Sequence, residues 1–277
     1  MANHEINKLL VVVVLYNLRL EESSSLISLN QNCLLTDVLI YDNSLDNLNQ
    51  NSKNFFQYLN IKYIHDPSNP GVSKAYNSAV EYAFQNNKSF ILLLDQDTFL
   101  PKNALEIYLN AAIKNQEIKL FAPCLKFNDK IYSPCNYYMH KGFHKNKFKM
   151  GVNSLKDVNF LNSGLLLNIH AFKQTGGYDE NIRLYFSDFE FINRFKKYYK
   201  SYFLIDLVCL HELASTDKTD LNKALNRFVI YCTDAKMAAK SKLLWFQYCI
   251  TLGLRSLKLS FHFMNFNFFK IFYSKFI

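Results

Sequence analysis

The chain has 277 residues, enough for one large domain or for a domain with an appendage. Hydrophobic residues make up 49% of it and charged residues 20%, a balance that excludes wholesale disorder. The net charge of +9 is concentrated at one end: from residue 221 onward nine Lys and Arg face a single acid, Asp234. The first 220 residues are therefore close to neutral, and the tail calls for an anionic partner such as a membrane surface or nucleic acid.

Four short apolar runs open the sequence: 9–16, 38–41, 61–64 and 90–94. They are rich in Val, Ile and Leu without alternation, as expected of strands buried on both faces of a parallel sheet. Helix-compatible stretches fall between and after them, over 21–31, 50–59, 72–85 and 103–114. In the third, Val72, Ala75, Ala79 and Ala83 recur at helical spacing. Strand–helix alternation predicts an α/β, doubly wound sheet whose ligands bind beyond the carboxyl ends of the strands. A less regular stretch covers 121–159. Then come an apolar segment over 160–169, a turn at Gly176-Gly177, a helix over 187–199 and a strand over 202–210. From Leu221 the pattern is helical; 243–254 is apolar, but Arg255 and Lys258 interrupt it before the length a spanning helix needs. The aromatic end segment fits helix and strand equally well. The six cysteines show no metal-ligand spacing, and the polar flank of the first apolar run does not suit a signal peptide, so reduced thiols and a cytoplasmic location are expected.

Polar residues gather where these strands end. Asp95-Gln96-Asp97 follows the fourth run, and two carboxylates so spaced can hold a hard divalent cation, Mg²⁺ or Mn²⁺, on a diphosphate. Asp42-Asn43-Ser44 follows the second run, where a carboxylate can accept a hydrogen bond from a pyrimidine imide or a ribose hydroxyl, or simply form an Asx-turn. Asn69-Pro70-Gly71, with Ser73, Lys74 and Asn77, opens a helix, and a helix N-terminus suits a phosphate or sugar oxygen. Ser187-Asp188-Phe189-Glu190 has the spacing of a capping box, while Asp188 is also a candidate general base whose pKa a helix N-terminus would lower. His211, followed by Glu212, ends a strand as a candidate metal or phosphate ligand.

Taken in order, these segments resemble family 2 glycosyltransferases of the GT-A fold, in particular bacterial enzymes of O-antigen, capsule and similar surface polysaccharides. Tyr16-Asn17 matches the end of the first strand, Asp42-Asn43-Ser44 the base-binding acid and its neighbours, and Asn69-x-Gly71-x-x-x-Ala75-x-Asn77 the loop and helix beside the donor. Asp95-Gln96-Asp97 matches the D-x-D metal site, and Asn162-Ser163-Gly164 the strand that precedes the acceptor site. Gly176-Gly177-Tyr178-Asp179-Glu180 resembles the segment before the catalytic helix, and Asp188-x-Glu190 with Arg194 the block whose first Asp is the base. His211 and Ser215 fall where this family often carries a His-rich segment over the diphosphate. Two departures stand out: Val14-Leu15 replaces the usual Pro-Thr, and Ser187 stands where many relatives carry Glu.

The resemblance implies a GT-A catalytic domain over 1–217 and a C-terminal helical, aromatic and basic extension over 218–277. It implies an inverting, metal-dependent transfer with Asp188 as base and Asp97, Asp95 and His211 as metal ligands. Tyr16, Asn17, Asp42, Asn43, Asn69, Gly71, Lys74, Asn77, Asp95 and Gln96 would lie on the donor side, and Asn162, Ser163, Gly164 and Glu190 on the acceptor side. D-Q-D-T points to a deoxythymidine-diphosphate-rhamnose or uridine-diphosphate-hexose donor, and the acceptor would be a saccharide carried on a polyprenyl diphosphate. Basic residues interleaved with Phe and Trp245 suit a peripheral position on the anionic cytoplasmic face of the membrane. A sugar-nucleotide nucleotidyltransferase and a non-catalytic membrane-surface protein are the alternatives. Nucleic acid is disfavoured as a partner, because acids at the strand ends repel a phosphate backbone.

Overall fold

The computed structural model describes residues 6–49, 55–143, 148–211 and 220–277. The first part alternates: β1 (Leu9–Leu15), α1 (Ser24–Asn30), β2 (Thr36–Asp42), β3 (Leu59–His65), α2 (Val72–Gln85), β4 (Phe90–Asp95), β5 (Thr98–Phe99) and α3 (Ala104–Lys114). A run of strands follows: β6 (Leu120–Phe127), β7 (Lys130–Ser133), β8 (Cys135–Tyr138), β9 (Lys141–Phe143), β10 (Gly151–Ser154), β11 (Val158–Asn159) and β12 (Leu166–Asn168). The chain ends with α4 (Ile169–Thr175), α5 (Ser187–Tyr198), β13 (Ser201–His211), α6 (Leu221–Ala238), α7 (Lys242–Phe263) and α8 (Asn267–Lys275).

The main sheet has the order β10-β13-β6-β12-β4-β1-β2-β3. Strands β3, β2, β1 and β4 are parallel, and β12 enters antiparallel between β4 and β6. All seven residues of β1 are buried. Leu10, Val12 and Val14 enter one core with α2, while Leu9, Val11, Val13 and Leu15 enter the other with α1 and α3. An unbroken apolar run is thus what a central strand covered on both faces requires. The register aligns Leu15 with Asp42 and Val14 with Asp95, so the polar residues that follow these strands emerge along one edge.

Two expectations are corrected. The helix expected over 50–59 does not extend through its described part: residues 55–58 are non-helical and Leu59 opens β3, paired with Thr36. Its other residues, 50–54, lie outside the described ones. The irregular stretch 121–159 is instead rich in strands, with β6 between β13 and β12 and a separate sheet ordered β11-β8-β9. Pro123 lies inside β6, in what looks from the sequence like a strand breaker. It falls where the β6–β13 register shifts, so the missing N–H removes no regular ladder bond.

The aromatic end segment is helical. Helices α6, α7 and α8 form a third core around Phe228, Cys232, Leu252 and Phe268, and this core includes Ile182 and Phe186 from the segment before α5. The extension is therefore packed onto the residues that lead into α5.

Candidate active site

Strand β4 delivers Asp95 to the sheet edge, and the turn after it is pinned from several sides. At the start of α1, the Ser23 hydroxyl donates to the Gln96 carbonyl at 2.9 Å, and the Ser25 hydroxyl donates to the carbonyls of Asp95 and Thr98. The Asp95 N–H donates to Ser163 Oγ at 2.9 Å, and the Tyr76 hydroxyl donates to Asp95 Oδ1 at 3.1 Å. Ser163 Oγ is 2.6 Å from Thr98 Oγ1, which is 2.8 Å from His211 Nδ1. His211 is brought beside this turn because β13 pairs with β5, aligning His211 with Thr98. Its Nδ1 lies 3.4 Å from Asp97 Oδ1.

Asp95, Asp97 and His211 each offer a ligand atom, and these atoms lie within 4.8 Å of one another. Two carboxylates and an imidazole so grouped could hold a divalent cation. The three metal residues expected from the sequence are therefore together. Ser215 and Glu212 lie outside the described residues.

A cleft of about 730 Å³ opens beside this cluster. Its strand-end wall holds Tyr16, Asn17, Asn43, Asp95, Gln96 and Asp97, and its rim includes Asn69 and Gly71. Gln96 Oε1 accepts the Tyr16 N–H at 2.8 Å, and Ser44 Oγ accepts the Asn17 N–H at 2.7 Å. Gly71 has φ +98°, and a Cβ there would meet the Arg183 carbonyl oxygen at 2.2 Å, so only glycine fits.

A second group of lining residues is one that the motifs did not reveal. Arg183, Lys223, Asn226, Arg227 and Ile230 line the cleft, all but the first from α6. Positions 223, 226, 227 and 230 have i, i+3, i+4, i+7 spacing, a legible face whose target the sequence does not disclose. Asp234, also on α6 and 2% exposed, fixes this wall. Its carboxylate accepts the N–H groups of Arg183, Leu184 and Tyr185 at 3.1, 2.9 and 2.8 Å. Burial nevertheless raises its pKa, outweighing those three donors.

Several expected site residues have other tasks. Asp42 is fully buried and is not among the lining residues. Its Oδ1 accepts the Ser44 N–H and hydroxyl at 2.9 and 2.5 Å, and its Oδ2 accepts Tyr63 OH and Asn49 Nδ2 at 2.6 and 3.0 Å. Burial pulls the Asp42 pKa upward, but the bonds from Ser44, Tyr63 and Asn49 hold it below the usual carboxylate value. The cleft instead meets Asn43, 3% exposed, whose Oδ1 has no hydrogen-bond partner among the described residues. Lys74 pairs with Glu180 at 3.2 Å, and Asn77 ties α2 to the Tyr178 backbone through bonds of 2.9 and 2.8 Å. Neither lines the cleft.

On the far side of Asp95, Asp188 stands in the first turn of α5. A capping box does not form there. Phe186, with φ +67°, is the N-cap, the Ser187 hydroxyl donates to the Leu184 carbonyl at 3.2 Å, and Glu190 forms a two-pronged pair with Arg194 at 2.7 Å for each bond. Burial, helped by the nearby Asp95 charge, pushes the Asp188 carboxyl up to about 7. The helix-end N–H of Phe189 at 2.8 Å acts in the opposite direction but does not prevail, so the lowered value expected from the helix terminus is reversed. Asn162 Oδ1 accepts Tyr178 OH at 2.6 Å. Gly164, φ +82°, leaves room for Pro123, whose Cγ a Cβ would approach to 2.7 Å. Ser163 thus braces Asp95, and Asn162 lies 3.5 Å from the Ser187 hydroxyl, beside Asp188.

The model of glycosyl transferase family 2 matches residues 19–165, more than half of the chain. The chain belongs to this family. The mixed, mainly parallel sheet flanked by helices is the GT-A fold, and the protein is a glycosyltransferase. No curated protein matches the sequence significantly. Among solved structures, S. aureus TarS 1-349 aligns with a TM-score of 0.57 at 17% identity, covering 91% of this chain and 75% of that one. The same protein in complex with UDP aligns at 0.57 and 16% identity, covering 85% of this chain and 72% of that one. Its complex with UDP-GlcNAc aligns at 0.56 and 14%, covering 92% and 73%. At these identities the likeness speaks for the fold.

Proposed function

We infer that this family 2 glycosyltransferase moves a sugar from a nucleoside-diphosphate donor to a saccharide hydroxyl, inverting the anomeric centre. The observation that carries this reading is the make-up of the cleft, which is lined by Asp95, Asp97 and His211 and also by Arg183, Lys223 and Arg227. A divalent cation on the acidic wall would neutralise part of the charge on a diphosphate. Arg183, Lys223 and Arg227 bind the remaining phosphate oxygens and stabilise the charge that grows as the sugar leaves. The UDP and UDP-GlcNAc complexes of the structural neighbour support a nucleotide-sugar donor.

Asn43, which lines the cleft, borders the pyrimidine, while Asp42 holds the loop from beneath. A carboxyl with a pKa of about 7 suits a general base at neutral pH, which supports that role for Asp188. The acceptor oxygen bonds to the anomeric carbon, the carbon–phosphate-oxygen bond breaks with its electrons passing to the diphosphate, and the hydroxyl proton moves to Asp188. Deoxythymidine-diphosphate-rhamnose and uridine-diphosphate-hexoses are the donors to compare. A saccharide on a polyprenyl diphosphate, presented at the cytoplasmic membrane face during surface-polysaccharide synthesis, is the acceptor.

Thermal-shift measurements with uridine and thymidine diphosphates, with and without Mn²⁺, test the donor site. Stabilisation that requires the metal is expected. No response to either nucleotide would overturn the reading.

A further inference from the structure

Helix α7 carries an outer face that no other part of the described chain covers. Leu243, Phe246, Ile250, Leu254, Leu257 and Phe261 are each between 38% and 71% exposed. At 100° per residue they all fall within a sector of roughly 80°, forming one stripe roughly 27 Å long. Met264 and Phe266, 85% and 76% exposed, continue the apolar surface into the turn before α8. Soluble proteins rarely leave so long a contiguous apolar strip open to water.

The charges around the stripe are of one sign. Lys242 and Lys258, both exposed, flank it on opposite sides of the helical wheel. Asp234, the one acidic side chain from residue 221 to the end, is buried and committed to three backbone N–H groups. An apolar strip rimmed by cations complements an anionic lipid surface, with headgroups meeting the lysines and acyl chains meeting the stripe. A second copy would bring two cationic rims together, which is unfavourable. Among the described residues no helix is long and apolar enough to cross a membrane.

The inner face of the same helix touches the wall beside Asp188. Tyr248 stacks on His140 at 3.8 Å between ring centroids, Gln247 Oε1 is 2.9 Å from His140 Nε2, and the Thr251 hydroxyl donates to the Met139 carbonyl at 3.4 Å. Met139 and His140 form the tip of the β8–β9 hairpin, with φ +44° and +60°. Tyr137 of that hairpin packs edge-on against Phe189, the residue after Asp188, at 5.0 Å.

We propose that the Leu243–Phe261 stripe of α7 docks on an anionic bilayer, and that the hairpin wall against its inner face thereby sets Asp188 at the height of a lipid-linked saccharide. The surface stands apart from the chemistry; the lipid-linked acceptor rests on the function inferred above. The test is co-sedimentation of the full chain with vesicles of phosphatidylglycerol and phosphatidylcholine in equal parts, against phosphatidylcholine alone. The protein is expected to partition onto the anionic vesicles and to be released by salt. The double variant F246E/L254E should lose on the order of 10²-fold in partition, from two lost apolar side chains. Lys242→Gln and Lys258→Gln should each lose about fivefold. The metal-dependent thermal shift with nucleoside diphosphate should be unchanged in all three. If the wild type stays in the supernatant, the proposal fails. It fails equally if the wild type is a dimer that F246E/L254E splits and neither form binds vesicles. A chain that binds vesicles but no nucleoside diphosphate keeps the docking surface and loses the donor reading, so the two failures are separable.

Discussion

The two walls of the cleft are made in different ways. The acidic wall is a product of sheet register: β1, β2, β4 and β13 end at one edge, and hydroxyls of Ser23, Ser25, Thr98 and Ser163 fix the turn between them. The basic wall combines Arg183 with one face of α6, and the carboxylate of Asp234 holds α6 to the loop that carries Arg183. The acids of the candidate metal cluster are thus set on strand ends and the turn between them, while Lys223 and Arg227 come from a helix the sequence sets apart as an extension. Residues of α6 thus line the same cleft as the strand ends do.

The largest effect is expected beside the acidic wall, at Asp188. Asp188→Asn should lower turnover roughly 10²–10⁴-fold while leaving nucleotide affinity intact; full activity in that variant would remove the base assignment. Asp97→Ala should abolish the metal-dependent thermal shift instead, a difference a ligand titration reads directly. On the basic side, Arg227→Ala should weaken donor binding by roughly 10–100-fold, as expected for a lost charge-assisted hydrogen bond. An unchanged donor KM would mean that α6 merely borders the cleft.

Removing the anchor is expected to act on both fold and site. Asp234→Ala leaves three N–H groups without their acceptor and should cost about 1–3 kcal/mol in chemical denaturation, with weaker donor binding as α6 loosens.

A pH profile adds a smaller, more discriminating signal. With the folded Asp188 carboxyl at about 7, activity of the free enzyme should rise with pH through that value, and metal that offsets the Asp95 charge should move the limb lower. Its folded pKa is raised above the unfolded one, so folded protein binds the extra proton between them. Stability contributed by the neutral form is therefore present at acid pH and lost as pH rises to about 7. Asp188→Asn should recover on the order of 1–2 kcal/mol above that pH, allowing for solvent screening. Smallest of all, Lys74→Ala should change stability by less than about 1 kcal/mol, since its pairing with Glu180 is exposed.

Much of the fold was legible because burial on both faces leaves a compositional trace. The apolar runs at 9–16 and 90–94 became β1 and β4, and 72–85 is helix α2 to the residue. The stretch 121–159 left no such trace: its hairpin strands are short, partly exposed and rich in Lys, Asn and Tyr, and Pro123 interrupts β6. Within the site, Asp95, Asp97 and His211 were readable as residue types at strand ends. The internal commitments of Asp42, Asn77 and Asn162 were not, since a polar residue facing the cleft and one bracing its floor look the same in a sequence.

The sequence by itself determined the alternation of strand and helix, the emergence of acids at one sheet edge and the excess of cations in the tail, because these depend on local composition and period. Tertiary structure alone decided that α6 lines the same cleft as those acids, that Asn43 rather than Asp42 meets the cleft, and that burial raises the Asp188 carboxyl above its usual range. Each of these depends on what packs around a side chain from distant parts of the chain, and burial and opposing charge are properties of that packing.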